Sequence, residues 1–204
     1  MNWDPPRVPV FVGGRGPRVL HMAGRVADGV IVGGGVTSGD TVRKLLGHIR
    51  AGAAAAGRDM SELEIWWLTR VVLAPSEAEG TDMMRDYLAG FAAHGYQNPR
   101  TLAEAPTDVQ EKIHMMERGY RWDEHLAHKP GDSGISFNAA LLEEQGIKEW
   151  LAHRFVITGP PEHCVKGLRE LVEAGAVNFI IPQVLPNPKG STKALGEQVF
   201  PAFR

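Results

Sequence analysis

Residues 8 to 35 read VPVFVGGRGPRVLHMAGRVADGVIVGGG, two short apolar runs around a helical stretch, each run ending in a cluster of glycines. No other stretch of the chain restricts the fold as tightly. The first run, Val8 to Val12, is β-branched and aromatic, follows a proline-rich lead-in and stops at Gly13 and Gly14, as a buried strand does. Pro17 suits the first turn of a helix, and Leu20, Ala23 and Gly24 fall at helical spacing, so the helix can pack closely on a sheet. Asp28 to Val32 is a second strand, closed by Gly33, Gly34 and Gly35. Strand, helix, strand is the order.

The pattern continues downstream. Asp40 is placed to cap a long helix with Val42, Leu45, Leu46 and Ile49 on its apolar face and Gly57 as its stop. Leu63 to Ala74 reads as one long strand, and Ser76 with Glu79 matches a capping box opening a helical run to about Gly95. Residues 96 to 150 are the least regular, with weak helical patterns at 107 to 118 and 138 to 151 separated by HKPGDSG, and are expected to form an inserted cap or long loop. A proline-started helix carrying Val165, Leu168, Leu171 and Val172, a strand from Asn178 to Pro182 and a helix over 191 to 200 complete the chain. Strands that are apolar throughout, alternating with helices, predict an α/β fold built on a parallel sheet covered by helices. Four strands are too few to close a (β/α)8 barrel, which has eight strands and typically about 250 residues.

Composition narrows the function. With 43% hydrophobic and 23% charged residues among 204, the chain is expected to be a single globular domain over residues 1–204, and its formal charge of -2 argues against a nucleic-acid partner. No apolar window approaches the roughly 18 residues of a membrane span, no signal peptide is visible, and a single cysteine, Cys164, fits a reducing compartment, so the expected location is cytoplasmic, away from the membrane.

Glycine immediately after a parallel strand lets backbone N–H groups approach an anion while the next helix N-terminus adds positive potential, and two neighbouring turns of this kind can converge on one phosphate. The plainer reading is that these glycines only make tight turns. The dinucleotide fingerprint is absent, because GGRGPRVL has no third glycine at the required spacing and no acidic residue ends the next strand.

The segment VPVFVGGRGPRVLHMAGRVADGVIVGGG, then AAAAGRD, WWLTRVVLA and ITGPPEHCVKGLRELVEAGAVNFIIPQ, resembles in this order the C-terminal half of a luciferase-like monooxygenase. That family includes the methylenetetrahydromethanopterin reductases. The resemblance covers most of the chain outside residues 96 to 150. It implies a TIM barrel of which this chain supplies the parallel βα units of the second half, with an irregular helical insertion. It also implies FMN or coenzyme F-420 as cofactor, a small-molecule substrate, and oxidoreductase or monooxygenase chemistry. Carried over by position, Gly13, Gly14, Gly16, Gly33 and Gly34 would line the pocket for the cofactor's phosphate, with Arg15 or Arg18 supplying a charge. Where the family has Ser or Thr after the late glycine, Gly159 is followed by Pro160 and Pro161, which weakens the helix cap. The first half of the barrel would supply most of the ring pocket. The chain is therefore expected to be a truncated product, a dimerising half-barrel forming a homo-oligomer, or the partner of a complementary N-terminal half-barrel chain. A non-catalytic half-barrel is the alternative, and a phosphate-binding barrel of the aldolase or isomerase type a third.

Other residues invite weaker readings. His125 and His128 stand three apart near Asp123 and Glu124, without a full metal-binding motif, so a solvated helix end is favoured over a metal site. His21 beside the first glycine turn reads first as a packing residue. Arg70, alternating with Trp66 and Val72 in an apolar strand, must find a carboxylate or an anionic ligand. Cys164 reads as a small buried residue rather than a nucleophile.

Overall fold

The computed structural model describes residues 7–125, 134–185 and 187–204. In chain order the elements are β1 (Phe11–Gly14), α1 (Pro17–Val26), β2 (Gly29–Val32), α2 (Gly39–Ala55), β3 (Glu64–Leu68), β4 (Val71–Leu73), α3 (Glu77–Met83), α4 (Arg85–His94), α5 (Pro99–Leu102), α6 (Thr107–Gly119), α7 (Phe137–Gln145), α8 (Lys148–Phe155), β5 (Ile157–Gly159), α9 (Pro161–Glu173), β6 (Asn178–Ile180) and α10 (Pro188–Gln198). They fall into two compact units, one of residues 1–69 and 166–182, the other of residues 70–165 and 183–204.

The first unit is a four-stranded parallel sheet in the order β1-β2-β3-β6. β1 and β2 run in register, Phe11 opposite Gly29 and Gly14 opposite Val32, so their glycine ends finish side by side. Val30, Val32 and Trp67 are fully buried. Gly24, expected to seat α1 on the sheet, instead seats it on α2. A Cβ there would stand 2.2 Å from the Ile49 carbonyl oxygen, and one at Gly52 would stand 1.9 Å from that of His21. Two backbones touch where both helices lack a side chain, a contact that no periodicity within either helix reveals. Ser38, not Asp40, caps α2: its backbone is extended and its Oγ accepts from Thr41 N–H, while Asp40 lies inside the first turn, paired with Arg43. The Arg58 guanidinium donates to the carbonyls of Gly24 (3.1 Å) and Ala27 (2.8 Å), satisfying the open end of α1.

The long strand expected over Leu63 to Ala74 is broken. Thr69 N–H still donates to Ile180 O of β6, but Arg70 O accepts from Ile157 N–H of β5, so the pairing partner changes between these two residues. β4 pairs in parallel with β5, Val71 opposite Ile157 and Leu73 opposite Gly159. β5 was hidden in the sequence: three residues, closed by a glycine at φ 134° and two prolines, carry little strand signal. The described residues thus hold six strands rather than four.

In the second unit, Ser76 Oγ accepts from Glu79 N–H to open α3, and the helical run expected to reach Gly95 is interrupted at Met84. Met84, Leu88, Ile113, Met116, Leu142 and Leu151 are fully buried within one cluster, so the weakly patterned stretch carries well-packed helices. Gly146, at φ 63°, divides the helix expected over 138 to 151 into α7 and α8. The expected HKPGDSG break lies, apart from Gly134, outside the described residues. No helix among the described residues is long and apolar enough to cross a membrane.

Candidate functional site

The glycine turns lie together at the C-terminal ends of β1 and β2, and Gly33 N–H donates to Gly14 O at 3.3 Å as the last rung between them. The space above them differs from glycine to glycine. A Cβ on Gly13, Gly16 or Gly33 would meet no atom within 4 Å, whereas one on Gly14 would stand 2.6 Å from Val19 Cγ1. Gly14 is therefore a packing glycine; the other three face open space. Gly34 and Gly35 adopt φ 73° and 69°, a left-handed turn that side chains other than glycine resist.

Basic groups stand at these turns. α1 begins at Gly16, which has no side chain to cap it, and its first turn holds no acidic residue. Its leading N–H groups therefore keep the anion affinity of an uncapped helix N-terminus. The Arg15 side chain reaches from the first turn across to the second, where its Nη1 is 3.4 Å from the position of a Cβ on Gly34. Arg18 is exposed on the first turn of α1. Gly13, Gly14, Arg15, Gly16, Gly33 and Gly34 are thus gathered in one place.

Thr69 was not singled out from sequence, yet it anchors this end. Its hydroxyl, buried at 2% exposure, donates to Val36 O at 2.7 Å and so ties the loop after Gly33 to the end of β3. A threonine after an apolar strand carries no such signal, because its acceptor lies 33 residues away. At the opposite end of β2, Asp28 accepts from Val10 N–H at 2.8 Å and pairs with Arg7, fastening the start of the sheet.

The remaining candidates separate from these turns. His21 is half-buried, with its carbonyl against Gly52. Cys164 is fully buried, its Sγ 3.6 Å from Gly159 O, and burial followed by the Glu162 charge pushes its thiol up to about 11. That is an inert thiol. No group of three potential metal ligands occurs among the described residues; His125 is bound to the Tyr120 hydroxyl at 2.5 Å, and His128 lies outside them. Arg70 has no carboxylate partner among the described residues, and its guanidinium lies over the Phe91 ring.

Comparison with known proteins places this architecture. Residues 1–178 match the family described as luciferase-like monooxygenase. A 5,10-methylenetetrahydromethanopterin reductase of Methanopyrus kandleri is 25% identical over 198 residues, 97% of this chain and 51% of that protein. An F420-dependent glucose-6-phosphate dehydrogenase of Nakamurella multipartita is 39% identical over 197 residues, again 97% of this chain but 48% of the relative. Among solved structures, the coenzyme F420 dependent tetrahydromethanopterin reductase from Methanopyrus kandleri superposes with a TM-score of 0.65 at 22% identity, covering 97% of this chain and 51% of that one. A riboflavin lyase with modified FMN and riboflavin superposes at 0.52 and 20% identity, covering 95% and 41%. The chain spans about half the length of these relatives, whose cofactors are F420 or FMN, and whose fold is the TIM barrel. The match over most of its length, together with the parallel βα units, makes this chain a member of the luciferase-like monooxygenase family.

Proposed function

We propose that this chain is the phosphate-holding half of a luciferase-like oxidoreductase, in which the two glycine turns bind the phosphate of FMN or coenzyme F-420. The observation that carries the reading is the open space over Gly13, Gly16 and Gly33, bordered by Arg15 and the uncapped start of α1. When bound, the cofactor's ring supplies the hydride or oxygen chemistry. The chain's own residues orient it: α1 N–H groups point at the phosphate, Arg15 offsets its charge, and Thr69 holds the second turn in place. The substrate is a small molecule, and the lone cysteine supports a cytoplasmic location.

Gly13→Asp tests the site. Its Cβ meets nothing, so the variant places a carboxylate where the phosphate would rest without disturbing the turn. FMN and coenzyme F-420 titrations should show affinity falling a hundredfold or more while the melting curve stays in place; unchanged affinity in the folded variant refutes the reading. Gly14→Asp is a poorer probe, because it would also collide with Val19.

A second reading, a half-barrel that assembles with another copy or with a complementary N-terminal half, draws on a separate observation. β1 is an edge strand, and Val19, Met22 and Val26 are exposed along α1, Val26 by 69%. Such a stripe beside an open edge favours association. Light scattering should give a mass above 22.2 kDa for self-assembly, and Val26→Glu should lower it; a monodisperse monomer at 22.2 kDa refutes assembly with another copy.

A further inference from the structure

The second unit gathers three nitrogen bases, and no group of opposite charge among the described residues forms an ion pair with Arg70, His94 or His125. Arg70 lies just before β4, its guanidinium carbon 4.4 Å from the centre of the Phe91 ring on α4. Its Nε is buried without an acceptor, and no described residue forms a hydrogen bond or ion pair with it. One turn after Phe91, the His94 ring lies 6.0 Å from Phe91 and 6.0 Å from His125, and stacks at 6.2 Å on Trp122. Trp122 is 55% exposed.

The neighbouring titratable groups leave this imbalance in place. Burial, then the positive neighbours His125 and Arg70, hold His94 below the ordinary imidazole range. Burial lowers Arg70, opposed only by the Tyr87 hydroxyl. Tyr120 is occupied by His125 and is raised by burial and by Asp86, and Asp86 itself accepts from Ser136. Asp123 and Glu124 border His125 in sequence, and Glu124 pairs with Arg121. An arginine held over an aromatic ring presents a rigid planar fork of N–H donors, which matches a planar two-oxygen anion. The exposed Trp122 ring stacked on His94 suits an apolar body attached to that anion.

We propose that Arg70, flanked by His94 and His125 and walled by Phe91 and Trp122, recognises a small organic oxyanion. This site belongs wholly to the second unit and stands independently of the phosphate reading, because its test uses no flavin or deazaflavin.

The probes are benzoate, inorganic phosphate and chloride at matched ionic strength, added to the full chain while histidine ring protons are followed by NMR. His94→Asn and His125→Asn assign the two signals. Benzoate should raise the His94 midpoint saturably, by roughly one pH unit, because an opposite charge then stands within reach of the imidazolium. Arg70→Gln should abolish the rise. Should that variant not fold, Arg70→Lys, which keeps the charge but loses the planar fork, should weaken benzoate binding by about tenfold or more. A shift no larger than that caused by chloride overturns the proposal. So does saturation by phosphate without saturation by benzoate, or a benzoate response unchanged in the Arg70 variant.

Discussion

Replacing Gly33 by alanine separates the two tasks a glycine turn can perform. If the residue serves only the turn, a methyl group there should matter little to ligands; if it serves an anion, the methyl fills the space a phosphate oxygen needs. The structure makes the substitution unusually clean. Nothing stands within 4 Å of the new Cβ, and Gly33 is not one of the left-handed glycines, unlike Gly34. Stability should therefore hold or rise by about 0.4–1 kcal/mol, the gain from restricting the unfolded chain. Excluding an oxygen from the turn should forfeit one or two hydrogen bonds to a charged group, each worth about 1.5–3 kcal/mol. A loss of about 3 kcal/mol is roughly a hundredfold in Kd. Parallel urea melts and fluorescence titrations with FMN and coenzyme F-420 measure both sides. An alanine variant that binds as tightly as the parent refutes the anion site, and one that unfolds more easily by over about 1 kcal/mol refutes the open space itself.

Other substitutions reach the rest of the first unit and the thiol. Gly52→Ala should cost about 1–3 kcal/mol by forcing α1 away from α2, whereas Gly47→Ala on the same helix, where a Cβ meets nothing, should be neutral or stabilising in the same urea melts. Thr69→Val removes the donor to Val36 O and should cost about 1–3 kcal/mol while speeding amide exchange over residues 33–36. Cys164 should react with a disulfide reagent at pH 8 only after unfolding. Because its folded pKa of about 11 lies above the model-compound 9.0, the stability it contributes is complete below pH 9 and disappears as pH climbs through 11. Cys164→Ala should flatten that part of the alkaline unfolding curve.

Local chemistry made the second strand and α1 legible, as an apolar run stopped by glycine and a helix opened by proline. The first strand is shifted from the expected Val8 to Val12: it begins at Phe11 and runs through Gly13 and Gly14, which pair with Ile31 and Val32, while Val8 and Val10 are exposed. Local chemistry also misled over residues 63 to 74. Trp66, Trp67, Val71, Val72 and Leu73 all favour extended backbone, and the break at Thr69 and Arg70 comes from a change of pairing partner more than 80 residues further along the chain. Gly52 sits in an alanine-rich helix where it looks like a neutral filler, yet its role is set by a carbonyl on another helix. The convergence of Arg15 on Gly34 likewise depends on the lateral register of β1 with β2, which no spacing along the chain encodes. Ser38 and Asp40 both suit a cap, and only the extended backbone at Ser38 decides between them.

The pairing of β4 with β5 gives the chain a place where it can be edited. The two strands run parallel, Val71 opposite Ile157 and Leu73 opposite Gly159, so residues 74–156 form one excursion that leaves the ladder after Leu73 at one end and rejoins it at Ile157 at the other. Because its ends are pinned by the ladder, the excursion can lengthen, shorten or be exchanged for that of a relative, while β1, β2, β3 and β6 keep their register. Doubling such a connection adds only about 0.6 kcal/mol of closure entropy if the extra residues stay flexible. Chimeras joined at Leu73 and Ile157 would be a natural format for moving ligand preference between family members, with the glycine turns carried along unchanged.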